Sequence, residues 1–407
     1  MKKFFNYIII IISSILMFGY TGILRQEQYF IFTISLFILG LGFIFNLFYI
    51  HKPKLIFLIL SFYLVLNVMF SFPAVGYKYL LIFFTGAIFY LKKWETGTLK
   101  RLFHIFQIVT LLFLFFTFLN YLYPSIILNI FGKIMSEKQV QTYQFGLLWG
   151  VPGIPGELSF NAFVLSIGYG QQLNLLFLKE KRVDKLIGFI ITILYIIGII
   201  MTSKRSAILL LPFITLAILL PRFFTKLTLS KFFLLISSIS LLPILVGQFL
   251  LNKIEVILLS GKGNSPLSNR ELYWNIALNM IKEKKFLGHG LNSYDLRFNQ
   301  LRNHSGFAGA HNSFLQIVAE LGAFGGMIYI LFIVYNLFFS IKVHIATIKE
   351  NKKFESYVSG CSIFVQILCI GVGMSESVFY QPQQLFTYLL FSGLCFSLEF
   401  RGKEVEK

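Results

Sequence analysis

Two places in this 407-residue chain gather side chains able to do chemistry. In TSKRSA, Lys204 and Arg205 stand together in a tight connection between apolar runs. A polar stretch, 251–310, then carries Lys253, Lys262, Arg270, Lys282, Lys284, Lys285, Arg297 and Arg302 against Glu255, Glu271, Glu283 and Asp295. It closes on His311 and Asn312, and Glu320 lies within the apolar run that follows. Clustered cations suit an anionic ligand, because guanidinium forks and ammonium groups make charge-assisted hydrogen bonds to phosphate-type oxygens. The alternative for Lys204 and Arg205 is snorkelling toward lipid phosphates at a helix end. His311 falls at the predicted N-terminus of a helix, which favours neutral imidazole and leaves a ring nitrogen able to accept a proton. A general base needs that property, although a structural interfacial histidine is the other reading. Glu320 is an ionisable group inside a span, which is costly and often functional; pairing with an Arg or Lys is its bland explanation.

The segment SNRELYWNIALNMIKEKKFLGHG reads as one amphipathic helix. Ser268 and Glu271 have the spacing of a capping box. Leu272, Ile276 and Met280, flanked by Tyr273, Ala277 and Ile281, form an apolar stripe that can lie on other helices. Lys282, Lys284 and Lys285 complement the C-terminal dipole before Gly288 and Gly290 stop the helix. Arg270 then sits in the first turn, where it either adds to an anion site made by free N–H groups or is an ordinary surface residue.

These elements must be held by a membrane protein. The chain is 57% hydrophobic with 49 Phe and only 13% charged residues, far from the globular average. Apolar runs of bilayer-crossing length recur at 4–24, 28–50, 54–73, 77–91, 103–123, 157–178, 186–202, 206–221, 231–251, 311–341, 355–373 and 383–399. The expected architecture is therefore all-α and polytopic, with about 12 transmembrane helices in a single integral membrane domain over 1–407 and a large loop over 251–310. The Met-Lys-Lys start resembles a signal peptide but lacks a small-residue cleavage site, so the first span is expected to stay attached.

Lys and Arg crowd into alternate loops, among them Lys2, Lys3, Lys52, Lys54, Lys92, Lys93, Lys179, Lys181, Arg182, Lys352 and Lys353. The intervening short loops hold few: Arg25, Lys78, Lys133 and Lys138. By the positive-inside rule both termini are expected in the cytoplasm and the 251–310 loop outside, so the net charge of +19 reflects inner-leaflet anchoring rather than nucleic-acid binding. Lys204, Arg205 and the cations of the loop are the external exceptions.

Arg270 and Trp274, then Gly288-His289-Gly290, then His311-Asn312 with Glu320, Gly322 and Gly325 behind, resemble the signature of the O-antigen polymerase (Wzy-type) and O-antigen ligase family of membrane glycosyltransferases. TSKRSA is similar to that family's Ser-Arg element, with Lys204 interposed between Ser203 and Arg205. PGIPGELSFNAF, in which Glu157 opens a span, looks like a further element. The resemblance covers roughly 200–326. It implies a GT-C type, metal-independent enzyme of the bacterial inner membrane, with no cofactor, whose donor is an oligosaccharide linked through pyrophosphate to undecaprenol. It further implies that Arg205 and Arg270 hold the pyrophosphate, that His311 lies beside the acceptor, and that Lys204, Glu157, His289, Asn312 and Glu320 serve substrate binding.

An acceptor sugar hydroxyl would then attack the anomeric carbon of the lipid-linked chain. A polymerase passes that chain to another lipid-linked repeat unit, with a chain-length regulator as partner, and a ligase passes it to lipid A core. Polymerases are many and diverse, which favours the first. No nucleotide loop of the GxxxxGK[ST] kind occurs, and Cys361, Cys369 and Cys395 lack metal or disulfide spacing. The reading from another class is a flippase for the same lipid-linked sugar. A transporter is expected to show internal repeats and a midplane site, neither of which is visible in the sequence.

Overall fold

The computed structural model describes residues 2–19, 28–70, 76–133, 135, 137–224, 268–302 and 309–404. Every regular element among them is helical, apart from one isolated bridge between Ile50 and Lys92. A polytopic membrane protein requires this, since lipid offers no partners to backbone N–H and C=O groups and a helix satisfies them internally.

Ten helices precede the undescribed stretch 225–267: α1 (Lys2–Phe18), α2 (Gln28–Ile44), α3 (Leu55–Phe70), α4 (Tyr77–Leu91), α5 (Thr96–Leu122), the short α6 (Ile126–Phe131) and α7 (Glu137–Leu147), α8 (Leu158–Leu176), α9 (Arg182–Met201) and α10 (Arg205–Phe224). Beyond it come α11 (Ser268–Glu283), α12 (Ser293–Arg302), α13 (Ser313–Lys349), α14 (Lys353–Gly373), a 3-10 turn (Val378–Tyr380) and α15 (Pro382–Glu404). Eleven of the twelve expected spans coincide with helices; the span at 231–251 lies outside the described residues. Helices α5, α9, α13 and α14 are long and apolar enough by themselves to cross a bilayer.

The centre is α14, which packs against α8, α10, α13 and α15. Its interior face carries polar side chains that pair within the bundle: Ser362 donates to the Phe391 carbonyl at 2.6 Å, and the Gln366 amide donates to Ser340 at 2.6 Å. Small residues allow neighbouring helices to approach closely. At Gly393 of α15, a Cβ would stand 2.4 Å from the Cα of Tyr90 on α4.

The loops sort into two ends. Lys2 donates to the Tyr49 hydroxyl at 3.0 Å, the Trp94 N–H donates to Ser397 at 2.7 Å, and Lys353 pairs with Glu180. The basic loops therefore gather at one end of the bundle. At the other end the 150–157 loop meets the α9–α10 turn, where the Val151 N–H donates to the Met201 carbonyl at 3.0 Å. The 288–294 segment reaches the same end through the Leu291 N–H, which donates to Asn67 at the close of α3 at 2.9 Å.

The expected span over 311–341 is longer and broken. Helix α13 runs to Lys349, and Gly322 interrupts it with φ +71 and ψ 179. An interrupted helix leaves backbone groups that need other partners. The turn after α11 supplies them. His289 and Gly290 N–H groups donate to the carbonyls of Ala319 and Glu320 at 3.3 and 2.8 Å, while Ala323 and Phe324 N–H groups donate to the carbonyls of Lys285 and Phe286 at 2.8 and 3.3 Å. Two glycines make this approach possible: a Cβ on Gly288 would lie 2.3 Å from the Glu320 oxygen, and one on Gly322 would lie 2.2 Å from the Phe286 oxygen.

Helix α11 stops at Glu283, short of the full expected segment, because the chain from Lys284 onward is committed to that docking. Its stripe is buried as anticipated: Ile276, Ala277 and Met280 pack with Tyr294, Phe298, Ala310 and Ala319. The side chain of Ser268, and with it the capping box, lies outside the described residues. Helix α12, absent from the sequence reading, is tied to α11 by an ion pair of Arg297 with Glu283 at 2.8 Å.

Candidate active site

The TSKR turn, the start of α13 and the α14–α15 connection meet at the end opposite the basic loops. Ser203 and His311 both adopt left-handed backbone, with φ of 57 and 50, each just before a helix begins. Histidine tolerates this region better than most residues. The two turns aim Lys204 and His311 at one carboxylate. Glu376 Oε1 lies 3.3 Å from Lys204 Nζ, and its Oε2 lies 3.4 Å from His311 Nδ1.

Glu376 is fixed from behind, since the Ser313 hydroxyl donates to its backbone carbonyl at 2.9 Å. Burial pushes the Glu376 carboxyl up, but the hydrogen bond from His311 and the Lys204 charge outweigh it and bring the group down to about 2 from its ordinary 4.5. With Glu376 ionised, the neutral imidazole that donates Nδ1–H to it keeps Nε2 as its acceptor nitrogen. The arrangement fixes ring orientation and tautomer together.

Tyr273 of α11 covers the imidazole, its ring 4.9 Å away and nearly perpendicular. That contact brings α11 to the site, and Arg270, three residues earlier, shares the Tyr273 face. Tyr273 is itself stacked on Phe298 at 5.0 Å, and its carbonyl accepts from the Tyr294 hydroxyl at 2.9 Å. Arg205 is the first residue of α10 and directly follows Lys204.

The other expected site residues are placed as follows. Asn312 caps α13, its side-chain oxygen accepting from Phe314 and Leu315 N–H groups at 3.1 and 3.0 Å. Glu320 is fully buried and receives the N–H groups of Asn292 and Tyr294 at 2.7 and 3.2 Å, so its partners are backbone amides at the head of α12. Gln316 links it to the site: its amide N–H donates to Glu320 at 3.2 Å, and its oxygen accepts from Ala310 N–H at 3.1 Å and Ser377 at 3.2 Å. His289 Nε2 lies 2.9 Å from the Met280 carbonyl, which holds the Gly-His-Gly turn on α11.

Glu157 opens α8 after a loop shaped by Gly153 and Gly156 at φ +61 and +71. Asn120 accepts from the Gly153 N–H at 3.1 Å, and Asn161 donates to the Val151 carbonyl at 3.1 Å. Glu157 and Glu376 line one small cleft, open to solvent, together with Ser159, Phe160, Val372, Ser377, Gln381, Gln383 and Gln384.

Residues 190–330 match the family described as O-Antigen ligase, over about a third of the chain. This segment is similar to an O-antigen ligase-family domain. No curated protein matches the chain. The match embraces Lys204, Arg205, Arg270, His289 and His311, in agreement with the resemblance read from those residues. It ends before Glu376, the carboxylate that joins two of them.

Sequence reasoning missed Glu376, Tyr273 as a partner of His311, and the glutamines of the cleft. A signal for Glu376 was present. The run GMSESVFYQPQQ separates two spans on the same side as TSKRSA and the long loop, and the whole chain has only 17 acidic residues.

Proposed function

We propose that this O-antigen ligase-family chain is a glycosyltransferase that joins undecaprenyl-pyrophosphate-linked oligosaccharide repeat units at the outer face of the bacterial inner membrane, as an O-antigen or capsular polysaccharide polymerase. The observation that carries the reading is the clasp on Glu376 of His311 and Lys204, both inside the matched segment, with Arg205 adjoining Lys204 in the chain.

The acceptor hydroxyl oxygen attacks the anomeric carbon of the donor as its proton passes to His311 Nε2. The bond from that carbon to the diphosphate oxygen breaks, and the electron pair leaves with undecaprenyl pyrophosphate. Charge builds on this leaving group, where Arg205, Arg270 and Lys204 stabilise it with preorganised donors. In this reading the cations do the work that a divalent metal does in other transferases, and no cofactor is used. Asn312, His289 and Glu320 act as positioning residues, through the cap, the turn and the amide network described above, and Glu157 acts in the cleft. Both termini are taken as cytoplasmic, because the basic loops share one end of the bundle.

The second reading, a ligase that transfers the chain to lipid A core, rests on the description of the matched family as O-Antigen ligase. The flippase reading loses force at Gly322. Broken helices in transporters line substrate or ion sites, whereas here the break is filled by the backbone of 285–290. Deleting the gene and separating the cell's polysaccharide on a gel distinguishes the outcomes. A single repeat unit on core supports the polymerase, bare core supports the ligase, and unchanged long polymer overturns both.

A further inference from the structure

Glu376 pairs with Lys204 and His311 and also borders the cleft, whose lining is rich in amides and hydroxyls: Ser159, Ser377, Gln381, Gln383 and Gln384. Amides and hydroxyls offer both donors and acceptors to a polyol.

Gln384 adds an independent sign. It is 6% exposed, and its Oε1 has no hydrogen-bond partner among the described residues. A buried carbonyl oxygen in that state calls for an O–H or N–H donor. Phe160 supplies an apolar ring to the same cleft.

We propose that this cleft, between the start of α8 and the 376–384 segment, binds the terminal sugar of the acceptor through its hydroxyl groups, with Gln381 and Gln384 as its specificity-determining contacts. The assignment rests on the glycosyl-transfer reading above. Glu376 borders the cleft and also holds His311, so the sugar site adjoins the residue that orients the proposed base, while the donor diphosphate is assigned to Lys204 and the two arginines.

The test uses purified full-length protein in detergent and two probes: the repeat-unit oligosaccharide released from its lipid by mild acid, and inorganic pyrophosphate. Saturation-transfer NMR is expected to show oligosaccharide contact with the wild type. Gln384→Leu, which keeps the volume, should weaken it at least tenfold while leaving pyrophosphate affinity within twofold. Gln381→Ala provides the same reading should Gln384→Leu fail to fold. Unchanged oligosaccharide binding in both variants, no binding to the wild type, or loss of pyrophosphate rather than sugar each overturns the assignment. Transfer measured in parallel separates the two claims: normal sugar binding without turnover overturns the reaction reading and leaves a sugar site, whereas turnover without contact at the cleft overturns the cleft alone.

Discussion

Glu376 holds His311 through Nδ1 at 3.4 Å, and with its other oxygen it holds Lys204 at 3.3 Å. One carboxylate thus orients the proposed base and anchors a proposed phosphate ligand. Glu376→Gln keeps the shape and removes the charge. Transfer should fall about a hundredfold, within the range that positioned general bases contribute. The loss is expected in kcat, with donor KM changed far less, and a variant that loses only KM would contradict the positioning role.

The same carboxylate has a pH signature. Its folded value of about 2 lies below the ordinary 4.5, so the clasp stabilises the fold fully above 4.5 and loses that contribution as pH falls toward 2. The difference in melting temperature between wild type and Glu376→Gln should therefore be constant from neutral pH down to about 5 and close below it. A difference that grows on acidification would contradict the assignment.

Arg205→Ala and Arg270→Ala should each lower kcat/KM for the lipid-linked donor by about tenfold to a hundredfold, the scale of a lost hydrogen bond to a charged group. Lysine at either position should restore only part of it, because an ammonium is a point charge and not a fork. Near-normal polymer from both alanine variants favours snorkelling to lipid phosphates.

The α11–α13 docking depends on backbone that admits no side chain. Gly288→Ala and Gly322→Ala place a Cβ 2.3 and 2.2 Å from backbone oxygens at positive φ, and left-handed backbone alone costs a non-glycine residue about 1–2 kcal/mol. Both variants should melt lower in detergent and lose activity. Gly97→Ala, where a Cβ meets nothing within 4 Å, is the matched control. Equal melting of all three would remove the docking from the account.

The layout of the helices was readable because lipid forces long apolar runs into spans, and among the described residues the basic loops at Lys2, Lys93 and Lys353 share one end of the bundle. Lys204 and His311 stood out in the sequence because they fall in loops expected to be external, and the structure brings both to Glu376. Glu376 offered only the signal of a rare acidic residue between two spans; its contacts with the distant TSKR turn and the start of α13 are encoded by no local pattern. The helix break was hidden for a related reason. Gly322 reads as a tolerated glycine in an apolar run, and only the turn at 285–290 shows why a break there is stable.

Orientation has a direct check in cysteine labelling. Leu287 is 69% exposed at the site end, and the native cysteines Cys361, Cys369 and Cys395 are buried and should stay silent. A cysteine at Leu287 should react with an impermeant thiol reagent in cells whose outer membrane is permeabilised, and one at Glu350 should not. Labelling only at Glu350 reverses the proposed topology.

The central claim is that His311 takes the proton of the acceptor hydroxyl while the cations hold the donor. Its most direct test is His311→Ala in purified enzyme, with binding and transfer of the lipid-linked donor measured separately. Donor affinity should stay within a few-fold of the wild type while single-turnover transfer falls about a hundredfold to ten-thousandfold. A variant that binds donor poorly yet transfers what it binds at the normal rate would contradict the account and make His311 a pyrophosphate ligand.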